Sequence, residues 1–239
     1  MKRQVTLAAF SSLLLTAIAP ATVTVSQVSA NNGTDTLSNP YTASSTDLLN
    51  GLTPVSTGTF NQEGTGGVSI LTDGLVPSTV SRVQPNPTGF QYGSFATGGN
   101  TGGTQLIYTL TLAQAIQSIT ILGGWQDGGR DEQSFSILYA TAAAPTTFLP
   151  LTTVDYNPTD STPVATTTGG NTHPTLTKVT ITDTTGILAA NVSKIRFDFN
   201  TTENGYSGYS EIDVQAVPEP SSFALLLGGV ALAARRRRR

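Results

Sequence analysis

The chain has 239 residues, enough for one sizeable core, and only 11% of them are charged against ~25% in an average soluble protein; about forty threonines make its surface hydroxylated rather than ionic. Between residues 31 and 217 five basic residues face fourteen acidic ones, a net charge of −9, which excludes a nucleic-acid partner because phosphate binding needs clustered Lys and Arg. Cysteine is absent, which excludes a disulfide framework and a thiolate site. Residues 1–30 read as a signal peptide: Met1, Lys2 and Arg3 supply positive charge, Leu7 to Ala19 an apolar run, and Val28-Ser29-Ala30 small residues before Asn31. Signal peptidase is therefore expected to act after Ala30. As a helix the apolar run spans ~20 Å, short of the ~30 Å hydrocarbon core, and Thr16 and Pro20 interrupt it, so it suits a signal helix better than a permanent anchor.

The body, residues 31–217, reads as one all-β domain with its core at about 65–217. Residues 31–104 are rich in Gly, Ser, Thr, Asn and Pro and predict loops, with one polar-capped helical turn at Ser45–Asn50 and one strand at Val68–Leu71. From residue 104 apolar side chains recur at every second position. Leu106, Tyr108, Leu110 and Leu112 mark one strand, Ile119 and Ile121 another, and Phe135, Ile137 and Tyr139 a third. Pro145, Pro150, Pro158, Pro163 and Pro174 dilute the pattern over 142–175, leaving a weak strand near Leu151–Tyr156. Val179 and Ile181, then Ile195, Phe197 and Phe199, then Ile212, Val214 and Ala216 restore it. Short alternating strands without intervening helices predict an antiparallel β-sandwich.

The C-terminus, residues 218–239, is organised differently. Pro218-Glu219-Pro220 precedes an apolar stretch from Phe223 to Ala234, and Arg235 to Arg239 close the chain. A short transmembrane helix followed by five guanidinium groups stops transfer and holds the end in the cytoplasm, while the two prolines keep the preceding peptide extended. This order closely resembles the PEP-CTERM sorting signal of bacterial exported proteins. The resemblance implies an exosortase as partner, removal of the tail near Pro218, Glu219 and Pro220, and a protein first held at the membrane and then found at the cell surface or outside. A permanent single-span anchor is the other reading of the same residues.

The body resembles galactose-binding-like jelly rolls of the discoidin and coagulation-factor type C architecture. The resemblance rests on the Ile70-Leu71-Thr72-Asp73-Gly74 turn, the strands Gln105–Leu112 and Ile116–Leu122, Lys194-Ile195-Arg196-Phe197, and the closing Ser210-Glu211-Ile212-Asp213-Val214. It departs from the family in lacking terminal cysteines and the Trp after the Asp-Gly turn. It implies a structural calcium held by Asp73, Gly74 and Glu211, a chemistry that suits a hard cation needing 6–8 oxygens. Alternatively Asp73 caps its turn and Glu211 is exposed.

The loop from Gly123 to Gln133 offers Trp125 to stack on a pyranose and Asp127 and Arg130 to bond its hydroxyls. Read as a structural hairpin, it instead packs Trp125 on the sandwich rim and pairs Arg130 with a carboxylate. No catalytic centre is expected. His173, the single histidine, lies in a loop with no Gly-x-Ser-x-Gly elbow, and Asp127 with Glu132 reads as a solvated acidic loop. Two functions follow as expectations: a non-catalytic module binding an extracellular polysaccharide, or a structural surface or matrix protein without a discrete ligand.

Overall fold

A computed structural model describes residues 22–58, 68–82, 91–95, 104–126, 130–158, 173–200, 202 and 206–218. The expected signal helix, transmembrane helix and arginine cluster lie outside the described residues, within which no helix is long and apolar enough to cross a membrane. Among the described residues eleven strands are present: β1 (Val23–Ala30), β2 (Thr36–Ser38), β3 (Val55–Thr57), β4 (Thr79–Ser81), β5 (Gln91–Phe95), β6 (Gln105–Trp125), β7 (Gln133–Thr141), β8 (Leu149–Tyr156), β9 (Thr175–Asp183), β10 (Ala189–Phe199) and β11 (Tyr206–Ala216). Every pairing among them is antiparallel.

The expected sandwich is what forms, and β6 organises it. Its first half lies between β3 and β10, which continues to β7 and β8; its second half lies between β11 and β9. One 21-residue strand thus runs through both layers where the alternation predicted two strands. The crossing leaves a mark in the register, which steps from Lys194↔Thr109 to Val192↔Gln114. Extra residues on β6 at that step bulge outward. Leu112, expected on the inner face, is consequently 70% exposed.

On either side of the bulge, period-2 burial holds. Leu106, Tyr108, Ile119, Ile121, Phe135, Ile137, Ile195, Phe197, Ile212 and Val214 are all buried in one core. Its aromatic part is edge-packed: Phe135 lies 6.2 Å from Phe199 and Tyr108 6.0 Å from Phe197, centroid to centroid. These separations fall in the range favoured by the ring quadrupoles.

Two local expectations change. Val68–Thr72 is a 3-10 turn rather than a strand, with Leu71 and Thr72 buried. The Thr72 hydroxyl donates to Leu52 O at 2.8 Å and fixes that turn. The sheet also begins before Asn31: Val23–Ala30, assigned to the leader by sequence, forms β1 on the free side of β9. Ser45–Asn50 makes the expected polar-capped turn, with Asp47 Oδ1 accepting from Leu49 N at 2.8 Å.

Candidate functional site

β11 carries Ile212 and Val214 into the core, so Glu211 and Asp213 point to the opposite face. That face is covered rather than wet. The segment around residues 44–51 runs along β11, with Leu48 N donating to Val214 O at 2.8 Å, Val214 N to Asp47 Oδ1 at 3.1 Å and Ser44 N to Asp213 Oδ2 at 3.1 Å. The turn after Thr72 closes the third side, where Gly74 N donates to Glu211 Oε1 at 3.2 Å. Gly74 has φ +76°, and a Cβ there would come to 3.0 Å from Ser45 Cα, so both its conformation and the close approach call for glycine.

Three carboxylates meet in this enclosure. Asp47, Glu211 and Asp213 are 8%, 0% and 5% exposed, and one oxygen from each lies within 4.8 Å of the others. Each has one oxygen bonded to a backbone N–H and one buried without a hydrogen-bond partner: Asp47 Oδ2, Glu211 Oε2 and Asp213 Oδ1. Burial pushes Glu211 up to about 9, with Asp213, Asp73 and Asp47 adding to the rise against the Gly74 hydrogen bond. Burial likewise raises Asp213 to about 6 and also raises Asp47. Three clustered, buried carboxylates, each keeping one oxygen without a hydrogen-bond partner, are a donor set of the kind a hard cation takes.

Of the three residues proposed from the sequence, the structure brings two together here. Gly74 and Glu211 are part of the enclosure, whereas Asp73 is exposed and its Oδ1 caps the turn by accepting from Leu75 N at 2.9 Å. Asp213 and Asp47 take its place. Asp213 was visible as the same-face neighbour of Glu211 in the closing strand. Asp47 had no signal beyond a polar cap, since it reaches the site only by tertiary folding across more than 160 residues.

Trp125 ends β6 and is 2% exposed. It packs with Leu37, Val80 and Leu176 in a second cluster flanked by Ala30 and Tyr41, and the Arg130 guanidinium lies over its ring at 5.3 Å. The backbone around it is interlocked: Gly208 N donates to Arg130 O at 2.9 Å and Gln133 Nε2 to Gly208 O at 3.2 Å. A side chain at Gly124 or Gly208 would collide with the backbone of Thr175 or of Gly124, respectively. The expectation that Trp125 offers a bare face to a sugar is therefore corrected: its indole fills a core and lies under Arg130. Asp127, the third residue of that expectation, lies outside the described residues.

A different surface is polar. On the outer side of one layer, Thr57, Gln105, Asp198, Ser136 and Thr153 stand opposite one another on β3, β6, β10, β7 and β8. Gln105 Nε2 donates to Asp198 Oδ1 at 2.8 Å, and the Ser136 and Thr153 hydroxyls are 3.0 Å apart. Asp198 is held by Arg196 through Nε and Nη2, and the Arg196 guanidinium lies 5.4 Å from the centre of the Phe148 ring. The row therefore bears hydroxyl and amide groups and one internally neutralised ion pair.

Residues 216–239 match the model of the PEP-CTERM protein-sorting motif, as the terminal residues led one to expect, and the motif marks the chain as an exported protein. No curated protein matches the chain in sequence. Among solved structures it is similar to the C-terminal domain of a chitobiase from Bacteroides fragilis, at 11% identity over 74% of this chain and 98% of that one, TM-score 0.42. It is also similar to chitosan-binding module 1 of a Paenibacillus chitosanase/glucanase, at 15% identity over 71% and 98%, TM-score 0.41. An F5/8 type C domain from Bacteroides fragilis is similar at 12% identity over 63% and 81%, TM-score 0.40.

Proposed function

We propose that this chain is an exported surface or extracellular protein whose β-sandwich binds a neutral polysaccharide and performs no chemistry on it. The observation that carries this reading is the polar row Thr57–Gln105–Asp198–Ser136–Thr153. Five strands at ~4.8 Å spacing set it across ~19 Å, a length suited to several sugar units. Hydroxyls and amides match hydroxyls, and the Arg196–Asp198 pair leaves the row without net charge. With the body at −9, uronic or sulfated chains are disfavoured. In this reading Trp125 and Arg130 support the end of the sandwich, and Asp127 belongs to the loop between them.

Calcium is the ion proposed for the enclosure of Asp47, Glu211 and Asp213, with Gly74 orienting Glu211. Bound there, it would neutralise three buried carboxylates and tie the 44–51 segment to β11; its part is structural. The C-terminal tail is proposed to be an exosortase substrate, cut near Pro218 to Pro220, with signal peptidase removing the leader.

Retention on immobilised neutral glycans tests the binding reading. The double variant Gln105→Ala, Thr153→Ala is expected to weaken retention at least about fivefold, one or two hydrogen bonds' worth, with the melting temperature little changed. Unchanged retention would remove this face from the reading. The second reading is a structural surface protein without a discrete ligand. The burial of Trp125 favours it, because the one indole of the chain is not a platform.

A further inference from the structure

β1 lies in the part of the chain that terminal pattern alone assigns to the leader, yet it is built into the sheet. Eight residues pair with β9, from Val23↔Asp183 to Ala30↔Leu176, and Thr184 N donates to Thr22 O at 3.3 Å just beyond the first pair. Val23 and Val25 pack on the main core and Ala30 on the cluster around Trp125. Immediately after it, Asn31 Nδ2 donates to Thr175 Oγ1 at 3.0 Å. Scission after Ala30 would strip this strand away. The edge of β9 would be bared, leaving a row of unpaired N–H and C=O groups open to pairing with other chains.

We propose that signal peptidase cuts the Ala21–Thr22 bond, so that the mature protein begins at Thr22 and keeps β1. Ala19 and Ala21 supply small side chains at the −3 and −1 positions of that bond. The apolar run ends at Ala19, so Ala21 lies two residues past its end, whereas Ala30 lies nine residues farther on. Pro20, between Ala19 and Ala21, is a residue type that does not continue a helix, because it lacks an N–H and its ring clashes with a preceding turn. A cut two bonds earlier would fall on the Ala19–Pro20 bond, whose nitrogen carries no hydrogen to donate. The composition agrees: Val23-Thr24-Val25-Ser26-Gln27-Val28 is alternating and β-branched, the pattern of a strand and not of a leader.

The protein exported by a secreting bacterial host, analysed for its N-terminal residue and intact mass, decides the matter. A start at Thr22 is expected, and a start at Asn31 or any other residue overturns the proposal. In the full-length precursor, Ala21→Leu is expected to abolish processing to Thr22, while Ala30→Leu leaves the Thr22 start in place; the reverse outcome overturns it. Hydrogen exchange of the wild-type exported protein is a readout independent of either variant. The amides of Leu176 to Asp183 that face β1 are expected to be protected, and fast exchange along that edge would show β1 missing from the mature fold.

Discussion

Glu211 is the residue on which most of the local electrostatics turns. Its carboxyl titrates near 4.5 when unfolded and is pushed up to about 9 by burial in the folded chain, so the metal-free fold binds a proton that the unfolded chain releases. Stability from this group is fully present below the unfolded value and is lost as pH rises toward 9. In chelator, the melting temperature is therefore expected to fall between pH ~5 and ~9. With calcium present the fall is expected to flatten, since the ion takes over the charges; a melt insensitive to chelator at pH 8 would contradict the ion site. Glu211→Gln keeps the acceptor for Gly74 N but carries no charge. It is expected to remove the calcium response and to raise the chelated melting temperature at pH 8. Phe197→Ala empties a fully buried position between Tyr108 and Phe199 and is expected to cost about 3–5 kcal/mol in denaturant unfolding. The inward faces of β7, β9, β10 and β11 were legible residue by residue, because alternation is a local signal. The carboxylate enclosure was half legible: Asp47 joins it through Leu48, Val214 and Ser44 contacts that no spacing in the sequence encodes.

β6 shows how far alternation carries at the scale of an element and where it stops. The pattern Leu106, Tyr108, Leu110 is genuine, but Leu112 falls within the bulge at which the strand leaves one layer for the other. Sequence alone extends the period and cannot see the bulge, which is set by how β10 pairs on the other side. Leu112→Asp is accordingly expected to change unfolding free energy by no more than about 0.5 kcal/mol, whereas Leu110→Asp buries a charge in the core and is expected to be severely destabilising. Equal effects of the two substitutions, compared by urea denaturation, would contradict the placement of the bulge. Trp125 was ambiguous for a related reason. A glycine-rich loop with one indole, one arginine and several carboxylates serves a sugar or a core equally well, and only Leu37 and Val80, brought from the loop-rich N-terminal region, decide for the core. The short strands β2 and β4 that carry them are too brief to register as periodic segments.

At the scale of the whole molecule, the ends give an address and the body gives a surface. A sandwich with 11% charged residues and a net body charge of −9 is suited to water and to hydroxyl-rich partners rather than to polyanions. The sorting motif over 216–239 marks the chain that carries this surface as exported. Intact-mass analysis of protein from the native envelope is expected to find a species lacking Arg235 to Arg239; retention of the arginines in the major form would contradict removal of the tail. The central claim, that the sheet face binds neutral glycan, is tested most directly by calorimetric titration of the calcium-equilibrated exported protein with two polysaccharides of matched length, one neutral and one uronic. Saturable heat with the neutral chain, abolished by the Gln105→Ala, Thr153→Ala double variant, and none with the uronic chain is the predicted result. Absence of heat with the neutral chain, or equal binding of the uronic one, would contradict it.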